Sequence, residues 1–395
     1  MSAPDGPAAR RLGIGVIGVG WMGRVHTTSH LRVRHHYPEL PVEPALVAVA
    51  DPEPGRAEAA ARQYHFRRFT TDWRDLLDDP DVQAVSVTAP NFLHREIGVA
   101  VAEAGKHLWI EKPVGLTAAD AQAVAAAVAG AGVQCTVGFN YRNAPAVTAA
   151  RALIQRGGLG AITHARFRLF SDYAAHPQGA LSWRFERGRG GNGVLGDLAS
   201  HGVDLARYLL GEIDALIGET AVVIPQRPQP TGAGSHFDLA VGGELGAVEN
   251  EDYVSCLLRF ANGARGVLEA SRVSVGDQNN YGFEIHGTKG LVSWDFRRMG
   301  ELAVSVGDAG AAYQNQSVDT AYVGPGDGDF AAFQPGAGIA MGYDDLKVIE
   351  AARFLRSIAE GTAHGVTIDD AVRSAQALDA ITESVRTGGW VGVAR

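Results

Sequence analysis

The stretch that decides the fold is residues 12–23, Leu-Gly-Ile-Gly-Val-Ile-Gly-Val-Gly-Trp-Met-Gly. Its first half predicts a buried β-strand, and the residues after Gly23 can continue as a helix. Between them lies G-x-G-x-x-G, in which Gly18 permits a tight turn, Gly20 lets the backbone approach a pyrophosphate, and Gly23 lets the helix pack closely on the strand. The helix N-terminus then presents unpaired N–H groups to phosphates. This context predicts a nucleotide site; a glycine turn without a ligand is the structural alternative.

An acidic residue closes the second predicted strand. Residues 45–50 are uniformly apolar, and Asp51 follows them directly. A carboxylate at this place accepts hydrogen bonds from the ribose hydroxyls of a dinucleotide and repels a 2′-phosphate. Asp51 therefore predicts NAD rather than NADP as the cofactor.

The spacing between the glycine turn and this aspartate exceeds the roughly 20 residues usual for the pattern. Residues 32–38, with the prolines at positions 41 and 44, predict an extended crossover loop as the cause. Arg32 and Arg34 lie in this segment and are expected on a solvated surface. The alternative is that they reach a 2′-phosphate, which would favour NADP.

Composition narrows the class of protein. The chain has 395 residues, enough for two domains, and a net charge of −9 with no basic block, which argues against nucleic acid and against an anionic membrane surface as partners. No apolar run approaches the roughly 20 residues that cross a bilayer. Cys135 and Cys256 lie in apolar runs and are expected to be buried, reduced thiols, so we expect a cytoplasmic protein.

The order of predicted elements gives the domain organisation. Strands alternate with helices over residues 11–143, which predicts a doubly wound parallel sheet, the Rossmann fold of class α/β. Residues 1–10 are expected to form a flexible tail. Residues 144–395 are predicted to form a domain for substrate binding and oligomerisation, with a large, open, mainly antiparallel sheet.

Two parts of this second domain carry expectations of their own. The Gly-rich stretch 300–342 predicts a long loop. Residues 344–361 and 368–386 predict amphipathic helices, which are placed so that they can pack back on the Rossmann domain.

A lysine follows the predicted strand 107–110, in Glu111-Lys112-Pro113. Ligands of such folds bind at the carboxyl ends of the strands, so Lys112 is expected beside the reacting end of the cofactor. Its ammonium can hydrogen-bond a substrate hydroxyl and stabilise alkoxide character as hydride leaves. A surface lysine is the structural alternative.

A carboxylate and an imidazole lie four residues apart in a predicted helix that follows a glycine-rich loop, at Asp197 and His201. Residues i and i+4 share a helix face, so the two side chains project the same way. A carboxylate raises the basicity of an imidazole and fixes its orientation, as a general base for an alcohol proton requires. An N-capping aspartate with a structural histidine is the alternative. Asp204, further along, is expected on the helix surface or in packing.

In this order, the segments resemble the Gfo/Idh/MocA family of sugar and polyol oxidoreductases, and the resemblance covers nearly the whole chain. It rests on six stretches: residues 18–23, 88–94 (Thr-Ala-Pro-Asn-Phe-Leu-His), 105–113 (Gly-Lys-His-Leu-Trp-Ile-Glu-Lys-Pro), 138–142 (Gly-Phe-Asn-Tyr-Arg), the helix with Asp197 and His201, and 283–290 (Phe-Glu-Ile-His-Gly-Thr-Lys-Gly). The resemblance implies that Lys112, Asp197 and His201 act at the substrate and that the Lys112–Pro113 bond is cis. It also implies a second domain whose exposed sheet face forms a homodimer or homotetramer.

The candidate site residues form three groups. The catalytic candidates are Lys112, Asp197 and His201. The candidates for holding the cofactor are Gly18, Gly20, Trp21, Met22, Gly23, Asp51, Thr88, Pro90, Asn91, His94, Glu111 and Lys112. The candidates for holding the remaining hydroxyls or a sugar ring face are Asn140, Tyr141, Arg142, His176, Trp183 and Arg184, of which the last two can equally be packing and surface residues. The spacing of His, Cys and Asp predicts no metal site.

Three hypotheses of function follow. The first is an NAD-dependent dehydrogenase of a cyclic polyol, an anhydrosugar or a glycoside, in which His201 takes the hydroxyl proton, Asp197 orients it and Lys112 polarises the oxygen. The second is a reductase of a keto-sugar or amino-sugar in secondary metabolism, with NADH or NADPH. The third is a non-catalytic sensor of the same fold that binds a nucleotide.

Overall fold

The computed structural model describes residues 9–230, 238–307 and 316–394, and this part of the chain divides into two compact units. The first unit contains the chain up to Gly115 together with Ala119–Asn140 and Gly342–Val372. The second contains Leu116–Ala118, Tyr141–Met341 and the chain from Arg373 onward. Residues 1–8 of the predicted tail lie outside the described residues.

The first unit is built on a sheet of six parallel strands. They are β1 (Arg10–Ile17), β2 (Val42–Ala50), β3 (Arg68–Thr70), β4 (Ala84–Val87), β5 (His107–Ile110) and β6 (Cys135–Val137). The helices between them are α1 (Trp21–His36), α2 (Pro54–Tyr64), α3 (Asp75–Asp78), α4 (His94–Glu103) and α5 (Ala118–Ala131). The strand order β3-β2-β1-β4-β5-β6 is that of a dinucleotide-binding Rossmann sheet, which confirms the predicted fold class.

The extended loop predicted for residues 32–38 is wrong. α1 continues through its basic last turn to His36, where positive charge is favourable at the helix C-terminus. β2 then begins at Val42 and includes Pro44. β3 pairs with β2 only from Ala48 onward, so no described strand lies beside Pro44 on that side. One edge of β2 is therefore open at the proline, where a missing N–H is tolerated. A long helix and a long strand account for the wide spacing before Asp51.

The second unit is built on a nine-stranded mixed sheet. Its helices are α6 (Pro145–Gln155), α7 (Arg187–Gly190), a π-helical turn (Leu195–Ala199) and α8 (Ser200–Leu210). Its strands are β7 (Ile162–Phe170), β8 (Ile213–Ala221), β9 (Gln226–Pro228), β10 (Leu245–Ala247), β11 (Tyr253–Phe260), β12 (Arg265–Ser271), β13 (Asn280–Gly287), β14 (Gly290–Asp295), β15 (Glu301–Val306), β16 (Asp319–Tyr322) and β17 (Val391–Gly392). The large sheet has the order β16-β15-β14-β13-β7-β12-β11-β8-β17, and among the described strands β7 and β12 form its one parallel pair. β9 and β10 form a separate two-stranded sheet.

The long loop predicted for 300–342 is also wrong in part. β15 pairs with β14, and β16 pairs with β15, so the sheet extends into this stretch. The alternation in Glu301–Val306 is short and lies between Gly-rich segments, which hid it. Residues 308–315 of the predicted loop lie outside the described residues.

The two C-terminal helices agree with the prediction in extent. They are α9 (Tyr343–Glu360) and α10 (Ile368–Thr387). α9 packs on α1 and β2 within the first unit, and most of α10 belongs to the second. No described helix is both long enough and apolar enough to span a membrane.

Candidate functional site

The glycine turn after β1 has the geometry that a dinucleotide needs. Gly18 has a φ of +87°, which favours glycine. A Cβ on Gly23 would lie 2.0 Å from the carbonyl oxygen of Gly18, so a larger residue cannot pack there, whereas a Cβ on Gly20 would meet no described atom within 4 Å. The backbone is tight around the turn and open at its middle glycine, where a pyrophosphate approaches in this pattern.

Asp51 lies beside this turn. Its buried carboxylate accepts hydrogen bonds from the backbone N–H of Val19 at 2.9 Å and of Glu53 at 3.0 Å, and Arg56 lies 3.4 Å away. The carboxylate is therefore fixed in position next to the glycine turn, as an acceptor for ribose hydroxyls must be. These residues fit NAD.

The two arginines considered for a 2′-phosphate have protein partners instead. Arg32 donates to Asp345 at 2.5 Å, and Arg34 donates to the carbonyl oxygen of Leu40 at 2.6 Å. Neither contact involves Asp51, and both engage the guanidinium groups that a 2′-phosphate would need.

Trp21 and Met22 begin α1 and contact the start of α9. The Trp21 ring is 58% exposed and stacks on Tyr343 with 5.3 Å between ring centroids. The hydroxyl of Tyr343 lies 3.6 Å from the Met22 sulfur. Tyr343 is thus a neighbour of the glycine turn that the sequence analysis missed.

The side chains of Thr88 and His94 contact backbone carbonyl oxygens of the surrounding loops. The Thr88 hydroxyl donates to the carbonyl oxygen of Gly18 at 2.7 Å. The two ring nitrogens of His94 lie 2.7 Å from the carbonyl oxygens of Pro113 and Ala89. His94 therefore joins the loops after β4 and β5; Pro90 and Asn91, in the first of these loops, are half-buried.

Glu111 belongs to a buried polar cluster. Its Oε1 accepts from Lys347 at 2.5 Å and lies 2.9 Å from His26 Nε2. Lys347 also donates to Glu350 at 2.9 Å, and the same Glu350 oxygen accepts from the indole N–H of Trp109 at 2.7 Å. The cofactor role predicted for Glu111 stays a prediction, because the contacts that the structure gives its carboxylate are with protein.

Burial and charge set the protonation of this cluster. Burial lowers the pKa of His26 to about 4 and raises that of Glu350 to about 7. At Glu111, burial opposes the charged form, but the charges and hydrogen bonds of Lys347 and His26 together lower the pKa of the carboxyl group. At Lys347, burial likewise opposes the charge, and the carboxylates of Glu111 and Glu350 together raise the pKa of the ammonium. Among the described residues, His26, Glu111 and Glu350 form the one group with the proximity of metal ligands, and the Lys347 ammonium bonds to both of its carboxylates.

Lys112 follows Glu111 directly and is half-buried. Its backbone N–H donates to the other carboxylate oxygen of Glu111 at 3.3 Å, so the buried cluster holds the backbone that carries the lysine. The Lys112–Pro113 peptide bond is cis, as the resemblance implies.

Asp197 and His201 lie in the second unit, on a helix that differs from the predicted one. Asp197 is in the π-helical turn and not at the start of the α-helix: the N–H of Ser200 donates to the carbonyl oxygen of Leu195, five residues earlier. Such turns occur often at functional sites. His201 follows in the first turn of α8 and is 8% exposed.

A phenol binds the Asp197 carboxylate. The Tyr173 hydroxyl donates to Asp197 Oδ2 at 2.5 Å. Tyr141 packs against His201, with 4.6 Å between ring centroids. Tyr173 was missed because no pattern in the sequence marks it.

The other substrate candidates have mixed surroundings. Arg142 makes a buried, two-pronged ion pair with Asp204 at 2.7 and 2.5 Å, so Asp204 is a packing residue, and the guanidinium predicted to hold substrate is engaged with it. Asn140 is 1% exposed, and neither polar atom of its amide has a hydrogen-bond partner among the described residues. A buried amide left unpaired is costly; Asn140 thus offers a donor and an acceptor to a bound group.

The loop candidates lie on or near the surface. His176 is exposed and its Nδ1 accepts from the N–H of Gln178 at 3.1 Å. The Arg184 guanidinium lies 4.7 Å from the centre of the half-buried Trp183 ring. These contacts allow both of the predicted readings, a platform for a sugar ring or local packing.

Comparison with known proteins gives the family. The model of an oxidoreductase family with an NAD-binding Rossmann fold matches residues 12–139, and the model of the GFO/IDH/MocA C-terminal domain matches residues 147–293. A levoglucosan dehydrogenase of Pseudarthrobacter phenanthrenivorans is 38% identical over 386 residues, which cover 97% of this chain and 98% of that protein. This chain belongs to the Gfo/Idh/MocA oxidoreductase family.

Other members of the Gfo/Idh/MocA family are similar over most of the chain. An inositol 2-dehydrogenase of Rhizobium meliloti is 29% identical, with 88% of this chain and 96% of that protein covered. A solved structure of levoglucosan dehydrogenase in complex with NADH and levoglucosan is 36% identical, with a TM-score of 0.91 and coverage of 98% of this chain and 100% of that chain. The predicted resemblance, the NAD-binding fold and the oxidoreductase class are confirmed.

Proposed function

We propose that this protein is an NAD-dependent dehydrogenase that oxidises a secondary hydroxyl of a cyclic polyol, an anhydrosugar or a glycoside. The observation that carries the proposal is the near-full-length similarity to levoglucosan dehydrogenase, and the fixed carboxylate of Asp51 beside the glycine turn supports NAD as the cofactor. Levoglucosan is therefore the first substrate to test, and inositols come next.

Different residues of the chain have different roles in the proposed reaction. The glycine turn and Asp51 would hold the dinucleotide, which supplies the hydride acceptor when it is bound. His201 takes the proton of the hydroxyl, Asp197 balances the positive charge on the imidazole ring, and Lys112 donates a hydrogen bond to the same oxygen. Joint action of these three residues at one hydroxyl is part of the proposal, and the family resemblance supports it.

The test is turnover of a panel of levoglucosan, inositols, glucosides and aminoglycosides with NAD⁺ or NADP⁺. We expect formation of NADH from at least one cyclic polyol or anhydrosugar. His201→Ala and Lys112→Ala should lower kcat by about 100-fold or more, since general acid–base catalysis contributes about 10²–10⁴. The exposed residues His364 and Lys289 give the matched controls His364→Ala and Lys289→Ala, which should keep wild-type turnover.

Failure would have a definite meaning. Measurable NAD⁺ binding without oxidation of any panel member would contradict the proposal. Assays in the reductive direction with keto-sugars and NADH or NADPH would then separate a biosynthetic reductase from a non-catalytic sensor.

We also propose that the protein works in the cytoplasm as a homodimer or homotetramer. Cys135 and Cys256 are both buried and free, which suits a reducing compartment. Leu257 and Val267 pair across β11 and β12 with exposed side chains, which form part of an apolar face suited to a second copy of the chain. Sedimentation velocity should give a dimer or tetramer, and Leu257→Glu should shift it towards the monomer; a monomeric wild type would contradict this.

A further inference from the structure

A short hydrogen bond in the second unit joins Tyr173 to Asp197. At 2.5 Å between the phenol oxygen and Oδ2, it lies at the short end of the range for an O–H donor on a carboxylate, and such charge-assisted hydrogen bonds are about twice as strong as neutral ones. Tyr173 lies in the loop after β7, and Asp197 lies in the π-helical turn. The contact therefore ties one loop to the element that carries a catalytic candidate.

The loop that carries Tyr173 is itself fixed. The Tyr173 ring packs against a buried cluster that contains Ala174, Leu181, Phe185 and Val248. The N–H of Ala174 donates to the carbonyl oxygen of Arg272 at 3.0 Å. The phenol is held by packing and backbone hydrogen bonds, so its direction does not depend on Asp197 alone.

The segment that carries Asp197 is fixed from the other side. The N–H of Val194 donates to the carbonyl oxygen of Glu251 at 2.9 Å, and the N–H of Leu195 donates to the Glu251 carboxylate at 3.1 Å. Two held partners that meet in a short hydrogen bond are pre-organised, as residues that support a reacting group need to be.

The surroundings of this contact keep the proton on the Tyr173 hydroxyl. Burial and the charge of Asp197 raise the pKa of Tyr173 well above its usual value, against the smaller effects of Arg272 and Arg184. Burial and the same carboxylate raise the pKa of Tyr281, the second phenol near it. Other charged groups of the surroundings are Asp252, which pairs with Arg272 at 2.7 Å, and Glu251, whose pKa is raised by burial. Arg227 also interacts with Tyr173, and burial lowers the pKa of its guanidinium. The Tyr173 hydroxyl therefore keeps its proton and donates a hydrogen bond to Asp197.

We propose that Tyr173 is a positioning residue for the dehydrogenase chemistry: its hydroxyl holds one oxygen of Asp197 and takes up part of its negative charge, and so restrains the basicity of His201. The proposal rests on the proposed function, in which His201 is the base. A hydrogen bond donated to a carboxylate stabilises its charged form and reduces what that charge offers to a neighbouring imidazolium. A base is most effective when its pKa lies near the working pH, and a neighbouring carboxylate raises the pKa of an imidazole.

The experiment compares Tyr173→Phe with Tyr253→Phe. Tyr253 is a matched control because its hydroxyl also donates to a carboxylate, that of Glu269, at 2.7 Å on the large sheet. The pKa of His201 is measured by NMR of protein with ¹³C-labelled histidine, and the variant His201→Gln assigns its resonance. We expect Tyr173→Phe to raise the pKa of His201 by about half to one unit. Without the hydrogen bond from the phenol, the Asp197 carboxylate stabilises the charged imidazolium of His201 more strongly. Tyr253→Phe should leave the His201 pKa unchanged.

Turnover gives the second readout. The acid limb of the pH profile of kcat/KM should move upward with the His201 pKa in Tyr173→Phe, with kcat lowered about 10-fold and KM for NAD⁺ unchanged. If the role of Tyr173 were purely structural, Tyr173→Phe would lower the amount of active protein and leave the acid limb of the kcat/KM profile at the same pH. An unmoved limb, or a His201 pKa that is unchanged or lower, overturns the proposal.

The NMR titration needs no substrate, so the two proposals fail separately. If the wild type oxidises no sugar, the proposed function fails while the effect of Tyr173 on His201 is still read. If Tyr173→Phe does not fold, 3-fluorotyrosine at position 173 keeps the packing and makes the phenol a stronger donor. It should then lower the His201 pKa, and an unchanged pKa would overturn the proposal.

Discussion

At the scale of single residues, Asp51 links cofactor choice to the fold, because backbone N–H groups of Val19 and Glu53 fix its carboxylate. Hydrogen bonds to a charged group contribute about 1.5–3 kcal/mol, so Asp51→Ser should weaken NAD⁺ binding about 10-fold to 100-fold. The ratio of the affinity for NAD⁺ to that for NADP⁺ should also decrease. Calorimetric titration with both nucleotides measures this. Glu53→Ser removes the same charge from an exposed side chain two residues away and should leave both affinities unchanged. Equal weakening in the two variants would contradict the assigned role.

The buried pair of Arg142 and Asp204 gives a second prediction at this scale. Arg142→Met removes the guanidinium from the buried Asp204 carboxylate, and breaking such a pair costs about 3–5 kcal/mol of unfolding free energy. The double variant Arg142→Met with Asp204→Leu removes both charges and should recover most of that loss. Urea unfolding of the three proteins measures it. A single variant as stable as the wild type would return Arg142 to the list of substrate contacts.

At the scale of elements, α1 carries two buried histidines whose protonation opposes folding in acid. Burial lowers the pKa of His26 to about 4 and of His30 to about 3, whereas both return to about 6.5 in the unfolded chain. Between pH 6.5 and 4 the unfolded chain therefore binds more protons, and the unfolding free energy falls as the pH falls. Glu350, with a pKa raised to about 7, acts in the opposite direction between pH 7 and about 4.5 and offsets about one of the two histidines there.

Denaturant unfolding between pH 7.5 and 4.5 tests this balance. His30→Gln can keep a polar contact with Ser86 and removes one titrating ring, so the slope of unfolding free energy against pH should decrease by up to about 1.4 kcal/mol per unit. His364→Gln changes an exposed histidine on the loop after α9 that contacts Glu360, and it should alter the slope less than His30→Gln does. Identical slopes in His30→Gln and the wild type would show that the ring is not held neutral by burial.

The same elements show what the sequence could and could not predict. β1, the glycine turn and Asp51 follow from local spacing, because each depends on neighbours a few residues away in the chain or at the end of the next strand. The partner of Glu111 could not be predicted in this way, because Lys347 lies 236 residues further along the chain. Lys347 lies between apolar residues in the stretch 346–349, which indicates a buried cation. The neighbouring sequence does not indicate which carboxylate it binds. The contact of Tyr173 with Asp197 depends on the same kind of long-range placement.

At the scale of the whole molecule, the two units hold different parts of the proposed chemistry. The residues proposed to bind NAD⁺ around Asp51 all belong to the first unit, and Asp197 and His201 belong to the second. Ligand at about 100 times its Kd stabilises the state that binds it by about 2.7 kcal/mol. Hydrogen exchange should therefore slow in residues 18–23 and 51–56 when NAD⁺ is added, and a sugar substrate added to the NADH complex should slow exchange in residues 195–201.

β11, on the large sheet of the second unit, provides the internal reference, because none of its residues is proposed to contact either ligand. Asp51→Ser should lose the slowing caused by NAD⁺ at the same nucleotide concentration, while Glu53→Ser keeps it. Equal slowing in residues 18–23 and in β11 would mean that NAD⁺ stabilises the chain as a whole rather than through the glycine turn. Slowing confined to 195–201 with NAD⁺ alone would place the nucleotide contacts on the second unit and contradict the assignment of Asp51.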